Sequence, residues 1–118
     1  MSHTLLLADD SVTIQRVIEL TFADEDVRVI AVSSGDEAIA VLNRTPPDIV
    51  LADVGMPRMN GWVLAREIKT SYPDIRVGLV TGYGETGPTD PLERSVVDFI
   101  LAKPISEESL RTIVSSGV

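Results

Sequence analysis

Asp48-Ile49-Val50-Leu51-Ala52-Asp53-Val54-Gly55-Met56-Pro57-Arg58-Met59-Asn60-Gly61 is the stretch that decides the fold. An apolar run of strand length closes on a carboxylate. A Gly/Pro turn follows, and a helix-period segment starts near Gly61. Successive apolar residues, without alternation, predict a strand covered on both faces, as in a parallel sheet. Asp53 then stands at the carboxyl tip of a buried strand.

The same pattern recurs on either side. Thr4-Leu5-Leu6-Leu7-Ala8 runs into Asp9-Asp10, Val77-Gly78-Leu79-Val80 into Thr81, and Phe99-Ile100-Leu101-Ala102 into Lys103-Pro104. A further strand is predicted over Val27 to Val32. Between these runs lie helical segments. The first carries a stripe of Ile14, Val17, Ile18, Thr21 and Phe22. The second opens on Ser34-Gly35-Asp36-Glu37, a capping box with Ser34 as N-cap and Glu37 reaching back. It buries Ala38, Val41 and Leu42 and stops before Pro46-Pro47. The third runs from Gly61 to about Ser71-Tyr72. The last is capped by Ser106, with Glu107 and Glu108 at its positive end and Leu110, Ile113 and Val114 inside.

Strands alternating with helices imply an α/β fold with a doubly wound parallel sheet and helices on both faces. In such sheets ligands bind at the carboxyl ends of the strands. One segment departs from the regular pattern. Gly82-Tyr83-Gly84-Glu85-Thr86-Gly87-Pro88-Thr89-Asp90 delays the fourth helix, which is predicted to start at Asp90 and Pro91, with Glu93 in its first turn, and to be short.

Composition narrows the function classes. The 118 residues, 44% hydrophobic, make a single domain over 1–118 with one core. The absence of cysteine excludes disulfides, thiolate metal sites and cysteine nucleophiles. A net charge of −8, with Lys and Arg scattered singly, argues against direct nucleic-acid or membrane binding. No apolar run is long enough to span a membrane, and no signal peptide is recognisable, so a cytoplasmic location is expected. Met1 lies just before the first strand, which points to a stand-alone protein or the N-terminal part of a longer one. His3 is expected to be exposed and Trp62 to pack; neither is given a site role.

The strand tips form a chemical set. Adjacent carboxylates repel unless a divalent cation sits among them. Phosphoryl transfer to a carboxylate needs a nucleophilic Asp, such a cation, and a fixed positive charge. Asp53 is the candidate nucleophile. Asp10, Asp53 and the backbone carbonyl of Gly55 are candidate Mg²⁺ (or Mn²⁺) ligands, with Asp9 direct or through water. Lys103 is the candidate cation and Thr81 a hydroxyl donor. The Lys103–Pro104 bond is an expected cis peptide, placing Pro104 at the site's edge. Taken singly, Asp9-Asp10 reads as a helix cap, Thr81 as a strand end and Lys103 as a surface lysine; only the set favours a site.

Asp9-Asp10-Ser11, Asp53 with Met56-Pro57 and Asn60-Gly61, Thr81-Gly82 and Lys103-Pro104 resemble the receiver domain of two-component response regulators, similar to stand-alone chemotaxis-type receivers. The resemblance covers essentially the whole chain. It implies a flavodoxin-like five-stranded sheet of order 2-1-3-4-5 and a histidine kinase or phosphotransfer protein as phosphodonor. It also implies a downstream protein partner, possible phosphorylation-linked dimers, and self-phosphorylation and self-dephosphorylation as the only chemistry. Phosphorylated Asp53 would draw Thr81 inward and remodel the surface of the fourth helix, fifth strand and fifth helix. The family's usual aromatic switch position falls on Ile100, with Phe99 beside it on the opposite face. Gly55 and Tyr83 border the path of the hydrolytic water in the family; as ordinary turn and loop residues they would look the same.

Two other functions compete. Ile100 and the unusual approach to the fourth helix fit a degenerate receiver acting as a phosphorylation-independent binding module. A phosphohydrolase of the haloacid dehalogenase type also uses an aspartyl phosphate, but its second acid would fall on Gly55.

Overall fold

The computed structural model describes residues 3–23, 26–55, 61–81, 97–102 and 106–116. Five strands, β1 (His3–Ala8), β2 (Val27–Val32), β3 (Ile49–Asp53), β4 (Arg76–Thr81) and β5 (Phe99–Ala102), form one sheet in the order β2-β1-β3-β4-β5. All neighbours are parallel. The fold is the expected flavodoxin-like α/β sheet. Helices α1 (Val12–Thr21), α2 (Gly35–Arg44), α3 (Gly61–Ser71) and α4 (Glu107–Ser116) flank it. The short helix expected after Asp90, and the Gly/Pro-rich loop before it, lie outside the described residues.

Strand alternation divides the core in two. Leu6, Ala8, Val50, Ala52, Val77 and Leu79 face α2 and α3, meeting Ala38, Val41, Leu42, Leu64, Ala65 and Ile68. Leu5, Leu7, Ile49, Leu51 and Val80 face α1 and α4, meeting Ile18, Phe22 and Leu110. The inner strands β1 and β3 are buried from Leu5 and Ile49 to their tips, as their unbroken apolar runs predict.

The caps explain where the helices begin. Ser34 Oγ accepts the Glu37 N–H at 3.2 Å. Glu37 reaches back one residue further than the capping-box pattern, taking the Ser33 N–H at 3.0 Å. Ser106 Oγ accepts the Ser109 N–H at 3.0 Å, which confirms it as the cap of α4. Glu107 pairs with Arg111 at 2.8 Å, and Arg111 also donates to the Thr21 carbonyl at 3.2 Å, tying α4 to the end of α1. The side chains of Ile113 and Val114, expected inside α4, lie outside those described.

Two expectations are corrected. Val17, expected on the inner stripe of α1, is 43% exposed. The buried line of that helix follows Ile14 and Ile18, and Val17 sits about 100° round the helix from Ile18, toward solvent. His3 is half-buried rather than exposed, because it opens β1 in register with Val27. Trp62 packs against the α2/α3 side of the core, as expected. Among the described residues, no helix is long and apolar enough to cross a membrane.

Candidate functional site

The site is built at the carboxyl end of the sheet, from the outlets of β1, β3 and β4. Asp9 follows the last residue of β1 and is completely buried. Its N–H donates to the Val32 carbonyl on β2 at 3.0 Å. Its Oδ1 accepts the Ser11 N–H at 2.8 Å. Ser11 in turn caps α1, accepting the Ile14 N–H at 3.3 Å. The acid and the start of α1 therefore fix each other. Asp10, between them, is exposed.

Asp53 ends β3 and is 4% exposed. Its Oδ1 accepts the Gly55 N–H at 3.2 Å, an Asx turn at the strand tip. The Val54 N–H donates to the Val80 carbonyl at 3.0 Å, so the outlet of β3 is stitched to β4. Gly61, the first residue of α3, presses against this outlet. A Cβ there would stand 2.8 Å from the Asp53 carbonyl oxygen and 2.9 Å from Leu79 Cδ2. Only glycine allows α3 to start so near the strand.

Asp9, Asp10 and Asp53 each present a carboxylate oxygen, and the three atoms lie within 4.8 Å of one another. Like charges at that range repel by roughly 3 kcal/mol per pair at an effective dielectric constant of about 20. A cup of hard oxygen donors, with two acids buried and one open to solvent, suits a small divalent cation that keeps part of its water shell. The donor set fits Mg²⁺ and offers nothing to a thiophilic metal.

Thr81 ends β4, half-buried, and its hydroxyl donates to the Leu101 carbonyl of β5 at a long 3.4 Å. Ile100 is 37% exposed and sits in register with Leu79. Phe99 projects from the other face, against the α1/α4 side of the core. Lys103, Pro104 and their expected cis bond lie outside the described residues. So do Met56 to Asn60, Gly82 and Tyr83.

One contributor carries no signal of its role in the sequence. Gln15 donates from Nε2 to the Asp9 carbonyl at 2.7 Å. It lies one helical turn beyond Ser11, and only the folded position of the β1 tip reveals the contact. Gly61 was visible in the sequence, but its clearance role emerges from the packing.

The outer face of α1 carries three exposed apolar side chains among polar ones. Val12 is 77% and Leu20 64% exposed, with Val17 beside them. The exposed Thr13 and Arg16 lie among them, and Val12 stands two residues after Asp10.

A family model for the response regulator receiver domain matches residues 5–115. The transcriptional regulatory protein GlrR of Escherichia coli K12 is 32% identical over 121 aligned positions, covering 100% of this chain and 27% of the relative. The chain spans less than half the length of the curated relatives it matches, from 17% to 46%. Among solved structures, the chemotaxis protein CheY4 of Vibrio cholerae superposes with a TM-score of 0.86 at 24% identity, covering 100% of both chains. A response regulator receiver domain protein from Clostridium thermocellum superposes at 0.87 with 25% identity, covering 98% of this chain and 93% of the other.

Proposed function

This chain belongs to the response regulator receiver domain family, and we propose that it is a phosphorylation-dependent signalling switch whose phosphoacceptor is Asp53. The observation that carries the reading is the convergence of the Asp9, Asp10 and Asp53 carboxylates within 4.8 Å at the strand outlets. Asp10, Asp53 and the Gly55 carbonyl would hold Mg²⁺, with Asp9 behind them. When bound, the cation neutralises charge on the phosphoryl oxygens.

The donor is a phosphohistidine on a histidine kinase or phosphotransfer protein. An Asp53 carboxylate oxygen attacks phosphorus, the P–N bond breaks, and the released imidazole nitrogen takes a proton from solvent. The Asp53 carboxylate is already held by the Gly55 N–H, so little reorientation is needed. Lys103 is the proposed counter-charge for the phosphoryl group. Thr81 gives up its long bond to Leu101 and donates to a phosphoryl oxygen, which alters the β4–β5 surface read by a downstream protein. The domain spans 1–118, works in the cytoplasm and contacts neither nucleic acid nor membrane directly. The outer face of α1, with exposed Val12, Val17 and Leu20, is the proposed seat of the phosphodonor.

The test is intact-protein mass after incubation with acetyl phosphate, with Mg²⁺ or chelator, on wild type, Asp53→Asn and Asp24→Asn. A phosphoryl gain that needs Mg²⁺ and Asp53 but not Asp24 is expected. Equal labelling of both variants, or no gain from acetyl phosphate and none from a phosphohistidine donor, sinks the reading.

Confinement of Phe99 to the face opposite Ile100 favours one alternative, a phosphorylation-independent binding module on the same fold. That alternative requires identical partner affinity with and without a phosphoryl analogue.

A further inference from the structure

We propose that Gln15 is a positioning residue that sets the angle between the two carboxylates of Asp9 and Asp10. One peptide unit separates these acids, and the orientation of its plane decides where they point relative to each other. The Asp9 N–H, on the preceding peptide, is held by the Val32 carbonyl at 3.0 Å. The Asp9 carbonyl belongs to the Asp9–Asp10 peptide itself and accepts the Gln15 amide at 2.7 Å. The same amide reaches the Val32 carbonyl at 3.4 Å and Ser33 Oγ at 3.3 Å. One side chain therefore ties the acid pair to the tip of the neighbouring strand.

Gln15 is itself held at a fixed height. Its N–H donates to the Ser11 carbonyl at 3.1 Å, and Ser11 is bonded through its own N–H to Asp9 Oδ1. The ring Asp9, Ser11, Gln15 and back to Asp9 closes within one turn of α1. A half-buried amide aimed at a strand outlet contributes little to a core that Ile14 and Ile18 already fill. Its effect falls on the geometry of groups that hold a cation, where supporting hydrogen bonds have large leverage.

This inference rests on the reading of Asp9, Asp10 and Asp53 as a Mg²⁺ site, and its test separates the two. The full chain and its Gln15→Met variant, which keeps the length but cannot donate, are compared in three measurements. These are Mg²⁺ titration calorimetry, amide hydrogen exchange without metal, and urea unfolding. Expected are an Mg²⁺ affinity weakened by about tenfold and faster exchange at the Asp9 and Asp10 amides than at Leu6. The unfolding midpoint should stay nearly unchanged. An affinity within about twofold of wild type, or unchanged exchange at the strand outlet, overturns the proposal. So does faster exchange spread evenly along β1 with a lowered midpoint, which would make Gln15 an ordinary packing residue. If wild type binds no Mg²⁺, the metal reading fails, and the exchange result alone decides whether Gln15 orients the peptide.

Discussion

The ring of Phe99 on β5 occupies the space where a side chain on Gly78 of β4 would stand. The two residues are in register, and a Cβ built on Gly78 would lie 1.8 Å from Phe99 Cε2. The Arg76 guanidinium sits 5.4 Å from the centre of the same ring. Gly78→Ala must therefore push the ring out of its seat between β4 and the α1/α4 side of the core. A loss of about 3 kcal/mol in urea unfolding is expected. Adding Phe99→Leu to Gly78→Ala should recover part of it, since the pair shares one volume.

Gly61→Ala should affect the site as well as the fold. The new methyl would meet the Asp53 carbonyl oxygen at 2.8 Å and Leu79 Cδ2 at 2.9 Å. Backbone cannot yield as a flexible side chain can, so either α3 withdraws or the outlet of β3 shifts. Stability should fall by about 1–3 kcal/mol. Mg²⁺-dependent phosphoryl gain from acetyl phosphate should slow by more than the unfolded fraction accounts for.

A divalent cation held among the three acids would make stability depend on its concentration. At a Mg²⁺ concentration one hundred times its dissociation constant, wild type should gain about 2.7 kcal/mol over protein in chelator. Asp10→Asn should lose most of that gain. In chelator the order should reverse, with Asp10→Asn the more stable protein because one of three converging negative charges is gone. Added NaCl should narrow that difference by screening the exposed Asp10. Urea titrations at low and high salt measure both effects.

Substitutions on the outer face of α1 should discriminate between phosphodonors. Val12→Ser and Leu20→Ser remove exposed apolar groups, so folding stability should change by less than about 0.5 kcal/mol. Labelling by acetyl phosphate should be unaffected. Transfer from a phosphohistidine protein should slow by about tenfold or more if that face seats the donor, as truncation of an interface anchor implies. Equal slowing with both donors would move the docking surface elsewhere.

The strands are legible in the chain because unbroken apolar runs such as Ile49–Ala52 fit a sheet covered on both faces, whereas their order 2-1-3-4-5 comes only through the resemblance to receiver domains. The meeting of Asp9, Asp10 and Asp53 is legible for the same reason, since parallel strands bring their carboxyl ends to one side. Other features depend on distances the chain does not display. The Phe99 ring finds Gly78 through a register between residues 21 positions apart. Gln15 finds the Asp9 carbonyl only once α1 has been docked at a definite height. Val17 escapes the pattern because an apolar residue one step off the buried line still fits a helical stripe. Lys103 falls outside the described residues, so the cationic side of the site stands on the sequence pattern alone.

The base of the β4–β5 pair is fastened by Asp98. Its carboxylate accepts the Val77 N–H at 2.7 Å and pairs with Lys69 at 2.7 Å, while Lys69 also holds the Ile75 carbonyl at 2.8 Å. At the opposite end, the side-chain tie among the described residues is the single 3.4 Å bond from Thr81 to Leu101. Side-chain fastening of this pair is therefore concentrated at its foot, and toward the tip β5 is held to β4 mainly by the parallel pairing that runs as far as Thr81 and Ala102. Rearranging the tip, at the end where charge would change, leaves the Asp98 anchorage untouched.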